Sequence, residues 1–141
     1  MKKRIMTYTR ALLLLVLVLG FTACQDEESI RDRLIGRTWV GDLGFSDEYG
    51  DALESGLTFK SNGFGVDRQY YYAQSRSADF DLEFRWMLSG DDLRLDYGTD
   101  RGGYPYPILE IRGIYIDRDV LYGVLYVDGE YDGSIKLYME S

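Results

Sequence analysis

The chain has 141 residues, with 24 acidic residues against 16 lysines and arginines and a net charge of −8. That length suits one domain, and the acidity argues against nucleic acid and against anionic lipid head groups as partners sought by charge, because phosphates are bound through basic side chains. There is no histidine, which removes the commonest general base and zinc ligand, and a single cysteine, Cys24, excludes an internal disulfide.

Lys2, Lys3, Arg4 and Arg10 lead into Ala11–Phe21, an unbroken apolar run. A bilayer span takes about twenty apolar residues, so the shorter run reads as the core of a signal peptide. Phe21-Thr22-Ala23-Cys24 resembles the lipobox of bacterial lipoproteins, in which a small residue precedes the cysteine that receives lipid. The resemblance implies a signal peptide over 1–23 and a lipid on Cys24. The rival, plain signal-peptidase cleavage after Ala23, wants a small residue where Phe21 stands. Loss of residues 1–23 removes four basic residues and no acid, taking the charge from −8 to −12.

Gln25-Asp26-Glu27-Glu28 follows. Asp26, Glu27 and Glu28 resemble the surface-export signal of Bacteroidetes lipoproteins; a solvated tether is the simpler account of the same charges. Residues 24–29 are expected to form the lipidated tether and 30–141 the folded domain. The implied address is the outer membrane, reached through lipidated Cys24, with the domain exposed at the cell surface.

Ser29-Ile30-Arg31-Asp32 has the form of a helix capping box, and Ile30 and Leu34 share a face. A short helix is predicted over Ile30–Ile35, closed by Gly36 in the left-handed conformation. Strands are predicted to start at Thr38, Leu57, Phe64, Asp79, Asp92, Ile108, Val120 and Gly133. Gly44–Gly56 reads as a polar loop with a turn of helix around Ala52. Ser61-Asn62-Gly63 reads as a turn. Phe64, Val66, Tyr70 and Tyr72 share one parity of the third strand, and Gln74–Ala78 is a polar connection.

The clearest pattern is Asp79–Tyr97. Phe80, Leu82, Phe84, Trp86 and Leu88 alternate with Asp79, Asp81, Glu83, Arg85 and Met87. Beyond Ser89-Gly90, Leu93, Leu95 and Tyr97 alternate with Asp92, Arg94 and Asp96. Period two sends the two sets to opposite sheet faces, which makes a hairpin with one apolar and one charged face. Pro105 and Pro107 mark a loop or a strand edge, and Gly113 a bulge. Asp117-Arg118-Asp119 is a turn. Val120–Val127 is apolar on both faces, so its inward set stays open. Asp128–Asp132 turns the chain into a last strand with Ile135, Leu137 and Met139 inward.

Leu34, Gly36 and Trp39, then Leu57-Thr58-Phe59 and Gly63, Phe84-x-Trp86, and Leu93-x-Leu95-x-Tyr97 resemble lipocalin-like domains of small Bacteroidetes lipoproteins. The resemblance runs from Leu34 to Ser141. It implies an all-β fold: a single antiparallel up-and-down barrel of about eight strands with a short N-terminal helix. Short connections make neighbouring strands antiparallel in any case.

Candidate chemistry is sparse. Asp128, Glu130, Asp132, Gly133 and Ile135 match the start of a calcium-binding loop, but Met139 stands where a bidentate glutamate belongs, and a hairpin turn explains the same residues. No pair among so many acids stands out as a glycosidase couple. No metal and no cofactor is expected, and enzyme activity is not. Tyr104 and Tyr106 sit on a proline-flanked loop, where rigid rings make good sugar or protein platforms, although tyrosines also fill sheet faces. Two readings remain. One is a non-catalytic binding or interaction module for a glycan or an envelope protein, through Tyr104 and Tyr106. The other is a barrel holding a small apolar ligand inside, near Phe84 and Trp86, which needs an interior cavity of about 300 Å3 or more.

Overall fold

The computed structural model describes residues 25–72 and 80–140. Helix α1 (Glu27–Leu34) precedes eight strands: β1 (Thr38–Gly41), β2 (Leu53–Phe59), β3 (Phe64–Tyr71), β4 (Phe80–Ser89), β5 (Asp92–Asp96), β6 (Leu109–Asp117), β7 (Val120–Val127) and β8 (Glu130–Met139). Each strand pairs antiparallel with its sequence neighbours, and β1 pairs with β8, so the sheet closes into an up-and-down barrel. The expected fold class is the observed one.

Alternation generates the closure. On β4 and β5, Phe84, Trp86, Leu88, Leu93 and Leu95 are buried, while Glu83, Arg85, Met87, Arg94 and Asp96 are exposed. Gly90 opens the β4–β5 turn at φ +63°. This is the first-position glycine that a two-residue hairpin of the twist-matching kind requires. On β7 the inward residues are Leu121 and Leu125, with Tyr122 and Tyr126 outside, which resolves the face the sequence left open. Gly113 lies at a register shift in β6 at φ +65°, the predicted bulge.

Several boundaries move. Strand β2 begins at Leu53, so the segment around Ala52 is a bridge to Ser46 and then strand, with no helical turn. Strand β8 begins at Glu130 because Asp128 and Gly129, both at positive φ, make the turn alone. Phe80 does not join the interior: it lies at the barrel mouth, 43% exposed, its ring against Tyr71. Asp79 and the Gln74–Ala78 connection lie outside the described residues, as do the leader and Cys24.

Helix α1 starts earlier than predicted. The cap is Asp26, whose carboxylate accepts from the Ser29 N–H at 2.7 Å. An aspartate at the cap is as good as a serine, and it lets Glu27 and Glu28 occupy the first turn, where the helix dipole favours acids. The fold therefore takes in residues 25–29, which are not a free tether. Gln25 bonds both ways to the Ile116 backbone, donating to its carbonyl at 2.7 Å and accepting from its N–H at 2.9 Å. Pairing of β6 with β5 ends at Ile111, so Gln25 satisfies backbone that no strand reaches.

An eight-residue helix is too short to persist alone. Docking holds it: Ile30 and Leu34 are fully buried in the barrel core. Each such burial contributes about 1.5–3 kcal/mol. The helix closes the end of the barrel that also carries the β2–β3, β4–β5 and β6–β7 turns. The opposite end carries the β1–β2 and β5–β6 loops and the β7–β8 turn. Among the described residues, all eight strands and the whole buried core lie after Gln25, so a chain starting there carries them.

Trp86 is packed edge-on to Phe59 and donates its indole N–H to the Lys60 and Phe64 carbonyls, whereas Arg85 lies outside over the Phe64 ring. Replacing Trp86 with Ala should cost about 3–5 kcal/mol, and replacing Arg85 with Ala no more than about 0.5 kcal/mol. Denaturant unfolding of the two variants checks this; equal losses would mean the faces of β4 are assigned backwards.

Candidate functional site

The end opposite the helix concentrates the exposed aromatic side chains that packing does not use. Two loops build it by the same device. In the β1–β2 loop the Asp47 carboxylate accepts from the N–H groups of Tyr49 and Asp51, and its second oxygen from the Tyr71 hydroxyl at 2.7 Å. In the β5–β6 loop the Asp100 carboxylate accepts from the N–H groups of Gly102 and Tyr104. Each loop is closed again through its backbone, Asp47 N–H to the Asp51 carbonyl and Asp100 N–H to the Tyr104 carbonyl. A short carboxylate that captures the N–H groups ahead of it imitates a backbone turn and fixes the loop at little entropic cost. Each turn displays one tyrosine: Tyr49 is 83% exposed and Tyr104 73%. The Tyr71 hydroxyl holds the Asp47 carboxyl below its ordinary range.

Tyr106 does something else. Its ring packs against Tyr97 and Phe45, and Phe45 packs edge-on to Tyr97 at 5.1 Å. These three rings plug the mouth of the barrel. Tyr104 and Tyr106 therefore divide the work of their loop, one outward to solvent and one down into the plug. Phe84 and Trp86 lie in the packed core, so the structure does not bring them together with Tyr104 in one site. A solvent-open groove of about 450 Å3 runs along the flank by Phe64, Arg85 and Asp96.

Beneath the plug the interior turns polar. The buried residues of β3 are Gly65, Asp67 and Gln69, while Phe64 is exposed and Val66 and Tyr70 only half-buried. The Asp67 Oδ2 atom accepts from the Ser55 hydroxyl at 3.0 Å, the Gln69 amide at 3.2 Å and the Tyr97 hydroxyl at 2.9 Å. Asp67 Oδ1 has no partner among the described residues. Burial raises the Asp67 carboxyl above its ordinary value, with the Tyr97, Ser55 and Gln69 donors and the Gly56 backbone pulling the other way. Burial and the neighbouring Asp67 charge push the Tyr97 hydroxyl well up, so it stays a donor at neutral pH. With Oδ2 saturated, Oδ1 is the oxygen left to take a proton.

Asp128, Glu130 and Asp132 do not form a metal loop. Asp128 accepts from the Ile108 N–H at 2.8 Å and makes the turn with Gly129, while Glu130 and Asp132 belong to strand β8. Comparison of the chain with protein-family models, with curated proteins and with solved structures finds no match.

The raised Asp67 value has a definite consequence for stability. The folded state holds the proton more tightly than the unfolded state, so this group's contribution is greatest at and below 3.8 and is lost as pH rises through the raised value. Urea unfolding across that range should show a falling component that Asp67→Asn abolishes. Asp67→Ala, which strands three donors, should cost more than about 2 kcal/mol. An identical pH slope in the Asn variant would contradict the assignment.

Proposed function

We propose that this chain is a lipid-anchored lipoprotein of the outer membrane, held at the cell surface through Cys24, and that its barrel is a non-catalytic recognition module. The observation that carries the reading is polarity along the barrel. Gln25, the residue after Cys24, is bound to β6 at the helix end, and Tyr49 and Tyr104 stand at the other end. A lipid on Cys24 would thus leave the tyrosine-bearing loops on the side away from the membrane. The barrel wall supports tethering over spanning: its outward residues on β4 and β5 are largely charged, and lipid-facing strands are apolar. Asp26 and Glu27 have structural partners, and the export reading adds a second use for the same acids together with Glu28.

The proposed partner is a surface glycan. Rigid rings flanked by carboxylates suit it, because sugar C–H faces stack on tyrosine and hydroxyls donate to aspartate. Glu48, Asp51 and the second oxygen of Asp100 supply those acceptors, since both oxygens of Asp47 already hold its loop. Interior packing weighs against an apolar ligand held inside. A Cβ on Gly65 would lie 2.3 Å from the Phe84 ring, and one on Gly123 2.5 Å from Ile111, so side chains fill the space to contact. The non-catalytic reading rests on burial: Asp67 lies beneath the plug and the hydroxyl of Tyr97, itself a plug ring, is turned inward onto it, so this titratable pair is closed off from solvent. The helix-capped up-and-down barrel also fits kinship with lipocalin-like domains, and that kinship is part of the proposal.

A chain starting at Gln25 should be screened against immobilised glycans, with hits retested on Tyr49→Ala and Tyr104→Ala. Loss of about 1 kcal/mol or more on removing either ring is the expected result, a fivefold or larger drop in affinity. Binding that survives both changes would remove this end from the site, and capture of an envelope protein without any glycan would replace the partner class.

A further inference from the structure

At the helix end a groove of about 270 Å3 opens between α1, β1 and the β6–β7 turn. Its floor is apolar, made by Trp39, Ile116 and Met139, and its rim carries Arg33, Arg37 and Arg118 against one acid, Asp119. That balance is reversed from the chain as a whole, whose net charge is −8. Arg31, Arg68 and Arg112 each sit within reach of a carboxylate, whereas the three groove arginines make no ion pair among the described residues.

Two of the three are held in place by the backbone. Arg33 donates to the Ile116 carbonyl at 2.9 Å, and Arg37 donates to the Asp32 and Arg33 carbonyls at 3.0 and 2.8 Å. A guanidinium offers five N–H donors in a fixed fork, so each retains donors for a second acceptor. Arg118 stands on the β6–β7 turn at φ +56°. Forked donors above an apolar floor fit an oxyanion that has carbon attached to it: a phosphate ester.

We infer that this groove seats the phosphate of an anionic membrane lipid head group and so orients the barrel on the membrane to which the chain is attached. The occupant follows from position as well as charge. The described fold begins at Gln25, bound to Ile116, which also lines the groove, so a lipid attached one residue earlier would be tethered on the side of the arginines. Net repulsion of an acidic barrel from an anionic leaflet is thereby overcome at one end only. The inference rests on the tethering reading for its setting. Its test does not, because a chain starting at Gln25 has no lipid and no basic leader, and the glycan screen can fail while the vesicle assay succeeds, or the reverse.

The test is co-sedimentation of that chain with phosphatidylcholine vesicles, with and without phosphatidylglycerol, at low salt. Preferential binding to the anionic vesicles is expected, weakened about fivefold for each arginine changed to Gln. Arg118→Gln is the informative single variant, since Arg118 bonds to nothing that holds the fold among the described residues and its loss leaves the core intact. Arg118→Lys, which keeps the charge and loses the fork, should bind between the parent chain and Arg118→Gln. Equal binding to both vesicle types, or binding indifferent to Arg33→Gln, Arg37→Gln and Arg118→Gln together, would overturn the inference. Saturable binding of inorganic phosphate, seen by NMR, without any vesicle preference would overturn the membrane as the source.

Discussion

Strand β1 is four residues long and meets β8 at two residue pairs, Trp39–Met139 and Val40–Tyr138. The whole barrel closes on that seam. An open seam would leave two strand edges with unpaired N–H and C=O groups, a template for association. Gly41 makes the closure possible. A Cβ there would lie 2.6 Å from the Leu137 side chain and 2.7 Å from the Lys136 carbonyl, and the second contact is backbone that cannot step aside. The seam is then locked from both directions: Glu140 N–H donates to the Thr38 carbonyl and Met139 N–H to the Asp119 carbonyl. Helix α1 lies against β6 and β4, and the Trp39 indole N–H donates to the Leu34 carbonyl, so Leu34 and Trp39 are both closed off from water.

Closure forces the inside to be filled, and it sets where the molecule can do anything. Aromatic and branched side chains take up the helix-side interior. Toward the other end the core gives way to Asp67 with its three donors, and the mouth is plugged by Phe45, Tyr97 and Tyr106. A buried carboxylate costs stability unless its hydrogen bonds are complete, and Oδ1 of this one has no partner among the described residues. What the network does supply is a fixed position for Tyr97, on which the other two plug rings, Phe45 and Tyr106, rest. The exposed loops are thus built on a rigid base, and self-closed turns at Asp47 and Asp100 make them rigid in themselves.

Much of the barrel could be read from the sequence because β4 and β5 alternate cleanly, and because turn chemistry at Asn62-Gly63 and Ser89-Gly90 is local. The polar interior could not. On β3 the apolar parity of Phe64, Val66 and Tyr70 points outward, since the inward positions are Gly65, where Phe84 fills the space, and then Asp67 and Gln69. Period-two reasoning treats an aspartate as a surface residue; only contact with Ser55 and Tyr97, far away in the chain, makes it an interior one. Phe80 fits the alternation and still lies at the mouth, because a pattern does not say where the barrel ends. The helix moved for a similar reason. Asp26 and Ser29 are both good caps, and the docking of Ile30 and Leu34 together with Gln25 on Ile116 chooses between them. Stiffening of the Tyr104 loop was visible as prolines, but the Asp100 carboxylate holds the turn, with Asp-x-Gly-Gly-Tyr as its sequence trace.

In the proposed orientation one end of the barrel faces the membrane and the other faces away. With Cys24 lipidated, a single introduced cysteine is the only free thiol and can carry a fluorophore. The lipidated protein should be reconstituted into vesicles containing a quencher-bearing lipid, with the label placed by Asp117→Cys at the helix end or by Tyr104→Cys at the other. Strong quenching at 117 and little at 104 is the predicted result. Equal quenching at both, or the reverse order, would contradict the proposed orientation.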